Sequence, residues 1–190
     1  MLHIDLHPFP ELKTDRLFLR PLTQQDVREF YVLRSDEQVM KYIDLPRLPS
    51  QEAAAALIQK ITDLQEKNES LTWAICLKNE AKMIGSILYK NISAQHHRAE
   101  VGYMLLPEYW SKGIISEALG AVLDFGFNSL HFHSIEALVN PENTGSIRML
   151  EKHHFVREGY YRENYFFEGK FLDTGVYSLL QSDYQKARGY

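Results

Sequence analysis

Three strand-like runs, Leu71 to Leu77, Met83 to Tyr89 and Arg98 to Leu106, are separated only by Lys78-Asn79-Glu80 and the polar stretch Asn91 to His97. Parallel neighbours need a crossover of a dozen or more residues, so links this short predict an antiparallel meander. Pro107 stops the third run, a loop containing Gly113 follows, and Ala118, Leu119, Val122, Leu123 and Phe127 then fall on one side of a helix. That helix crosses over to a strand at Ile135 to Val139. A short helix over Asn143 to Lys152 comes next, and two aromatic strands around Glu168-Gly169-Lys170 are predicted to end the chain. Upstream, Leu17 to Leu22 reads as a first strand. Thr23 and Asp26 then form a capping pair before a helix whose inward stripe is Val27, Phe30, Tyr31 and Arg34. A second helix follows Ser50, with Ala54, Leu57, Ile58, Ile61 and Leu64 at three-and-four spacing.

These elements fit one domain over 1–190, with a core at about 12–182. Hydrophobic residues are 45% and charged residues 24% of the 190, the balance of an ordinary folded protein. A net charge of −4, with 21 scattered Lys and Arg, offers no basic field for nucleic acid. The lone Cys76 allows no intrachain disulfide, which suits a reducing compartment, and the cytoplasm is the expected location. No run reaches the ~20 apolar residues of a membrane span.

The loop before the crossover helix carries the first functional signal. Successive N–H groups at a helix start converge on a point that attracts anions, and Gly113 lets backbone approach a phosphate with no Cβ in the way. Lys112 adds charge, and Ser111 or Ser116 a hydroxyl. Taken alone, Gly113 is better explained by a tight turn.

The ordered series around it resembles the GCN5-related N-acetyltransferases, specifically their RimJ/RimL-type branch. The likeness begins at Thr14-Asp15-Arg16-Leu17 and Leu19-Arg20-Pro21-Leu22, and continues through Ser35 to Met40, Trp73-Ala74-Ile75 and Ile84-Gly85. It then takes in Glu100-Val101-Gly102-Tyr103, Tyr109 to Gly113 with Ser116 to Leu119, Asn140 to Asn143 with Ser146, Leu150-Glu151-Lys152, Phe155 and Glu158-Gly159. The resemblance implies an α/β fold with a mixed, mostly antiparallel sheet of about six to seven strands, flanked by helices and splayed at an acetyl-CoA site. Two loop positions depart from the family pattern, Trp110 and Ile115, and His154 stands where the branch commonly has a glycine that caps the short helix.

What the resemblance implies for the site is specific. Acetyl-CoA is the cosubstrate and no metal is required. Its contacts would come from Met104, Leu105 and Leu106, where a bulge frees backbone N–H groups for the thioester oxygen, from Trp110, Ser111, Lys112, Gly113, Ile114, Ile115 and Ser116, and from Asn140, Asn143 and Ser146. Glu100 is the candidate general base, four residues before Met104 on the same strand face; a solvated acid or a pair with Arg98 explains it as well. Ser146 is the candidate proton donor to the departing thiolate, with Tyr177 the alternative donor, although a core role suits Tyr177 better. Asn143 also reads as a helix N-cap bonding the N–H of Ser146. The histidines form no recognised metal-ligand pattern, and Cys76 reads as a buried thiol.

The branch acetylates protein N-termini, notably of ribosomal proteins, or small amines. An α-amine at pKa ~7.8 is about 2.6 units easier to deprotonate than a lysine near ~10.4, or ~3.5 kcal/mol, which favours a protein N-terminus attacking the thioester directly. A small-amine acetyltransferase and a catalytically weak CoA-binding module are the rival readings. Expected partners are therefore acetyl-CoA or CoA and one of these acceptors, with no nucleic acid and no membrane; a homodimer is left open.

Overall fold

The short links do produce a meander, which grows into one eight-stranded sheet. In the computed structural model, which describes residue 2 and residues 4–189, the strands are β1 (Leu12–Lys13), β2 (Leu17–Pro21), β3 (Leu71–Leu77), β4 (Met83–Ser93), β5 (Arg98–Leu105), β6 (Ser134–Val139), β7 (Val156–Phe167) and β8 (Lys170–Leu180). Their order is β1-β2-β3-β4-β5-β6-β8-β7. Only the β5–β6 pair is parallel, and the predicted crossover helix after Gly113 joins its two strands. The sheet exceeds the expected strand number through β1, a two-residue strand too short to show alternation.

Two helical layers cover the sheet. On one face lie α1 (Val27–Ser35), α2 (Glu37–Met40) and α3 (Gln51–Glu66), burying Phe30, Leu33, Val39, Ala54 and Ile58 against Ala74, Met83 and Leu106. The Thr23–Asp26 capping box forms as predicted, and Ser50 caps α3 through the N–H of Ala53. On the other face, α4 (Ile114–Asp124) and α5 (Thr144–Lys152) pack on Trp73, Ile75, Ile87, Ala99 and Val101. Leu119, Val122 and Leu123 of α4 are fully or almost fully buried and each contributes roughly 1.5–3 kcal/mol.

The crossover helix ends in a π turn over Phe125–Ser129. There the Tyr89 hydroxyl donates to the Val122 carbonyl at 2.8 Å, and any Cβ at position 126 would collide with that hydroxyl, so Gly126 is required for the close approach. The chain does not finish on the aromatic strands as expected: α6 (Gln181–Arg188) follows them. Apart from buried Tyr184 and exposed Ala187 it is polar, and so lacks the apolar stripe that announces a helix. No helix among the described residues is long and apolar enough to cross a membrane.

The feature that makes a site is the divergence of β5 from β6. They pair only at Arg98↔Ser134, Ala99↔Ile135 and Glu100↔Glu136; beyond that, β5 stays with β4 and β6 stays with β8. The sheet therefore splits into a wedge, and α4 starts close after β5 ends.

Candidate active site

A cavity of about 810 Å³ lies at this wedge, between the α4–α5 side and the segment Gln38 to Ile43 that runs through and out of α2. Gly113 is the N-cap of α4 and sits at φ 74°, a left-handed conformation that side chains resist. No side chain caps this helix, so the N–H groups of Ile114, Ile115 and Ser116 have no side-chain acceptor, and all three residues line the cavity. Those free donors at the positive end of a helix suit a phosphate. Lys41, Arg148 and Lys152 line the same cavity and add three positive charges.

Polar contacts from behind hold this wall. Arg16 donates to the carbonyl of Lys112 at 3.0 Å and through Nε to Glu117 at 2.6 Å, while Thr14 donates to the other oxygen of Glu117 at 2.5 Å. Glu117 stands in the first turn of α4, where its charge would oppose a bound anion. Burial pushes its pKa up, but the hydrogen bonds from Thr14 and Arg16 and the Arg16 charge outweigh that, so the net direction is down and the charge is balanced. The Trp110 indole donates to the Leu105 carbonyl at 2.7 Å, tying the loop to the end of β5, so this irregular loop position acts as a brace. Ser116 Oγ and His153 Nε2 share a hydrogen bond of 2.9 Å that links α4 to α5.

Asn143 caps α5 by accepting from the Ser146 N–H at 3.0 Å and also lines the cavity. Ser146 Oγ lies 2.6 Å from the hydroxyl of Tyr103, which lines the cavity from β5. Burial pushes the Tyr103 phenol up to about 12 against the opposing effect of the Ser146 bond, so it stays protonated at neutral pH. Tyr103 was not among the sequence candidates, although strand alternation places it on the face of Leu105.

Several expectations are corrected. The register shift on β5 lies near Arg98, opposite Lys90 and Ser93, with no bulge at Met104 to Leu106. Leu106 spends its N–H on the Ile84 carbonyl at 3.0 Å and turns its side chain into the α1–α3 core. Antiparallel alternation then commits the N–H of Met104 to β4 and leaves those of Tyr103 and Leu105 facing the wedge. The free donors thus come from the splay, shifted by one residue.

Glu100 is not brought to the cavity. It is buried, with its carboxylate held by Lys90 Nζ at 2.8 Å and Asn91 Nδ2 at 2.8 Å, and it sits at the last paired position before the wedge opens. It shares a strand face with Met104, yet four residues of strand put about 13 Å between them. Arg98, its expected alternative partner, pairs with Glu136 instead. Tyr177 is buried in the α4-side core. Lys112 extends over the Tyr109 ring, and Asn140 closes a turn through the N–H of Glu142, so neither lines the cavity. Cys76 is a buried free thiol. Among the described residues no group of three or more His, Cys, Asp or Glu is placed to hold a metal ion.

Comparison with known proteins gives a consistent picture. Residues 16–156 match the acetyltransferase (GNAT) domain family. The uncharacterized N-acetyltransferase YoaA of Bacillus subtilis (strain 168) is 35% identical over 173 residues, which cover 91% of this chain and 98% of YoaA. The spermidine N-acetyltransferase of Vibrio cholerae, solved in complex with CoA and spermine, superposes with a TM-score of 0.80 at 26% identity, covering 90% of this chain and 99% of that one. The ribosomal-protein-S5-alanine acetyltransferase of Vibrio fischeri has the same fold, with a TM-score of 0.80 at 24% identity over 92% of this chain and 98% of its own.

Proposed function

Because the chain belongs to the GNAT acetyltransferase family and is an acetyl-CoA-dependent N-acetyltransferase, we propose that its acceptor is the α-amine of a polypeptide N-terminus. The charges on the cavity walls carry this reading: Lys41, Arg148 and Lys152 are all cationic, and no carboxylate lines the cavity among the described residues. A polyamine brings several positive charges, and no side-chain carboxylate on these walls would pair with them. The same walls offer no side-chain carboxylate to take a proton from the acceptor. An amine must therefore arrive neutral from water. At pH 7.4 roughly a quarter of an α-amine with pKa ~7.8 is neutral, against about one part in a thousand of an alkylamine near ~10.4.

The cosubstrate supplies a thioester carbonyl for attack and a thiolate that leaves. The uncapped start of α4 suits its diphosphate, and the wedge-facing N–H groups of Tyr103 and Leu105 are donors for an oxyanion. Ser146 is assigned the proton that goes to sulfur as the C–S bond breaks, and the proton shed by the nitrogen as the amide forms passes through water and restores the serine hydroxyl. With Tyr103 donating to Ser146 Oγ, the serine keeps its own hydrogen for the cavity.

The test is incubation with acetyl-CoA and a panel of N-terminal peptides, lysine-containing peptides with blocked N-termini, polyamines and small amines, read by mass spectrometry. Acetylation of peptide α-amines is expected. A preference for polyamines or lysine side chains over every free N-terminus would overturn the acceptor assignment.

A further inference from the structure

Sequence periodicity puts Arg34 on the inward stripe of α1, and there the structure leaves it without an anion. The residue is 6% exposed, its Nε has no hydrogen-bond partner, and Nη1 meets only the sulfur of Met104, at 4.0 Å. None of the ion pairs among the described residues includes it. Arg20 shows what a satisfied counterpart looks like, with both guanidinium Nη atoms on the carboxylate of Asp26, at 2.6 and 2.8 Å, and on backbone carbonyls besides. Arg34 lies in the last turn of α1, where the helix dipole favours a cation, but the dipole does not fill the empty donor positions.

A second orphan lies beside Met104. Ser86 is the cross-strand partner of Met104 on the same sheet face, and its hydroxyl is fully buried with no partner. Met104 itself lines the cavity. An unpaired buried cation and an unpaired buried hydroxyl therefore flank one flexible thioether, the side chain that separates them from the ligand space. Unsatisfied groups of this kind are expensive to bury, and an anion with acceptor oxygens would satisfy both.

We propose that Arg34, assisted by Ser86, forms a subsite for a carboxylate carried by the acceptor close to its reactive amine, reached when the Met104 side chain swings aside. Unbranched methionine has the rotamer freedom for this movement. The shared chemistry is an amine within a few bonds of a carboxylate. It is supplied by an N-terminal residue followed by Asp or Glu, or by a free amino acid. The inference rests on the acetyltransferase reading and narrows its acceptor.

The experiment compares isosteric pairs with the wild-type protein: peptides with Asp or Asn at the second position, and amino acids against their amides. The acidic member of at least one pair is expected to show about tenfold higher kcat/KM, since every 1.4 kcal/mol is tenfold. The peptide and amino-acid arms identify which source is used. Arg34→Met should abolish that preference while leaving stabilisation by CoA and turnover of the neutral members unchanged. Equal rates within every pair, or an acidic preference that survives Arg34→Met, would overturn the proposal. Thermal stabilisation by the N-acetylated acidic dipeptide, against its amide isostere, reads the same contact without turnover or a variant; equal stabilisation counts against it. A failure of the acetyltransferase reading would show differently, as no transfer to any acceptor.

Discussion

The two sides of the cavity are built by opposite rules. On the α4–α5 side, apart from the exposed Arg148 and Lys152, the polar side chains are answered from behind: Arg16 and Thr14 hold Glu117, Trp110 is tied to Leu105, Ser116 to His153, and Asn143 to Ser146. On the α1–α2 side, Lys41 has only the face of its neighbour Tyr42, and behind Met104 the guanidinium of Arg34 has only a sulfur. A wall that binds an invariant diphosphate gains from being fixed in advance, because no ordering cost falls on binding. A wall that selects an acceptor holds its donors unspent until the right group arrives, and it rejects molecules that leave those donors unpaired.

The fixed wall should fail when its backbone is disturbed. Gly113→Val forces a β-branched residue into φ 74°, which the loop can relieve only by turning its N–H groups away from the cavity. CoA binding measured by calorimetry should weaken by about a hundredfold, roughly 3 kcal/mol. An unchanged Kd would show that the loop backbone is not what holds the cosubstrate.

A smaller effect isolates the bracing. Arg16→Ala leaves the Glu117 carboxylate uncompensated in the first turn of α4. CoA affinity should fall about threefold to tenfold at low ionic strength and by less in high salt, because Arg16 is half exposed. Adding Glu117→Gln should restore most of the loss. If the double variant binds no better than Arg16→Ala, the pair shapes the loop by packing and charge balance is not its role.

The fixed wall was the legible one because its signals are local. A glycine before a helix, an Asn three residues before a serine and a left-handed cap are each read within four residues of chain. His154 adopts φ 66° at the end of α5, and the N–H groups of His154 and Phe155 return to Glu151 and Leu150, so the cap expected of glycine forms around histidine. The opposite wall was less legible, since Lys41, Tyr42 and Ile43 come from an aperiodic connection and reach the cavity only through tertiary packing. Arg34 was placed inward correctly, but no local pattern reports that its partner is missing. Tyr103 was available from alternation; the expectation of a bulge shifted attention to Met104 and Leu106. Glu100 could be placed on the correct face, whereas its position relative to the opening depended on where β5 and β6 part, a distance set by the sheet as a whole.

The smallest expected effect separates the walls by pH. Burial is the largest influence on His153 and lowers its pKa, the charges of Lys152, His154 and Arg188 act in the same direction, and the bond to Ser116 opposes them. In the unfolded chain this histidine takes up a proton near pH 6.5, while in the folded protein it resists until lower pH. The unfolded state therefore binds more protons between the two values. Stability is unaffected by His153 well above 6.5, falls as pH drops through 6.5 towards the lowered folded value, and levels off below it. The steepest slope one such group can impose is about 1.4 kcal/mol per pH unit. Arg34, behind the opposite wall, stays charged throughout this range and adds no slope. Urea unfolding from pH 7.5 to 5.5 should accordingly show a flatter acid limb in His153→Gln than in wild type, and no change of slope in Arg34→Met. Parallel pH profiles for wild type and His153→Gln would mean that the histidine takes up its proton equally well folded, and the α4–α5 brace would then carry no pH dependence.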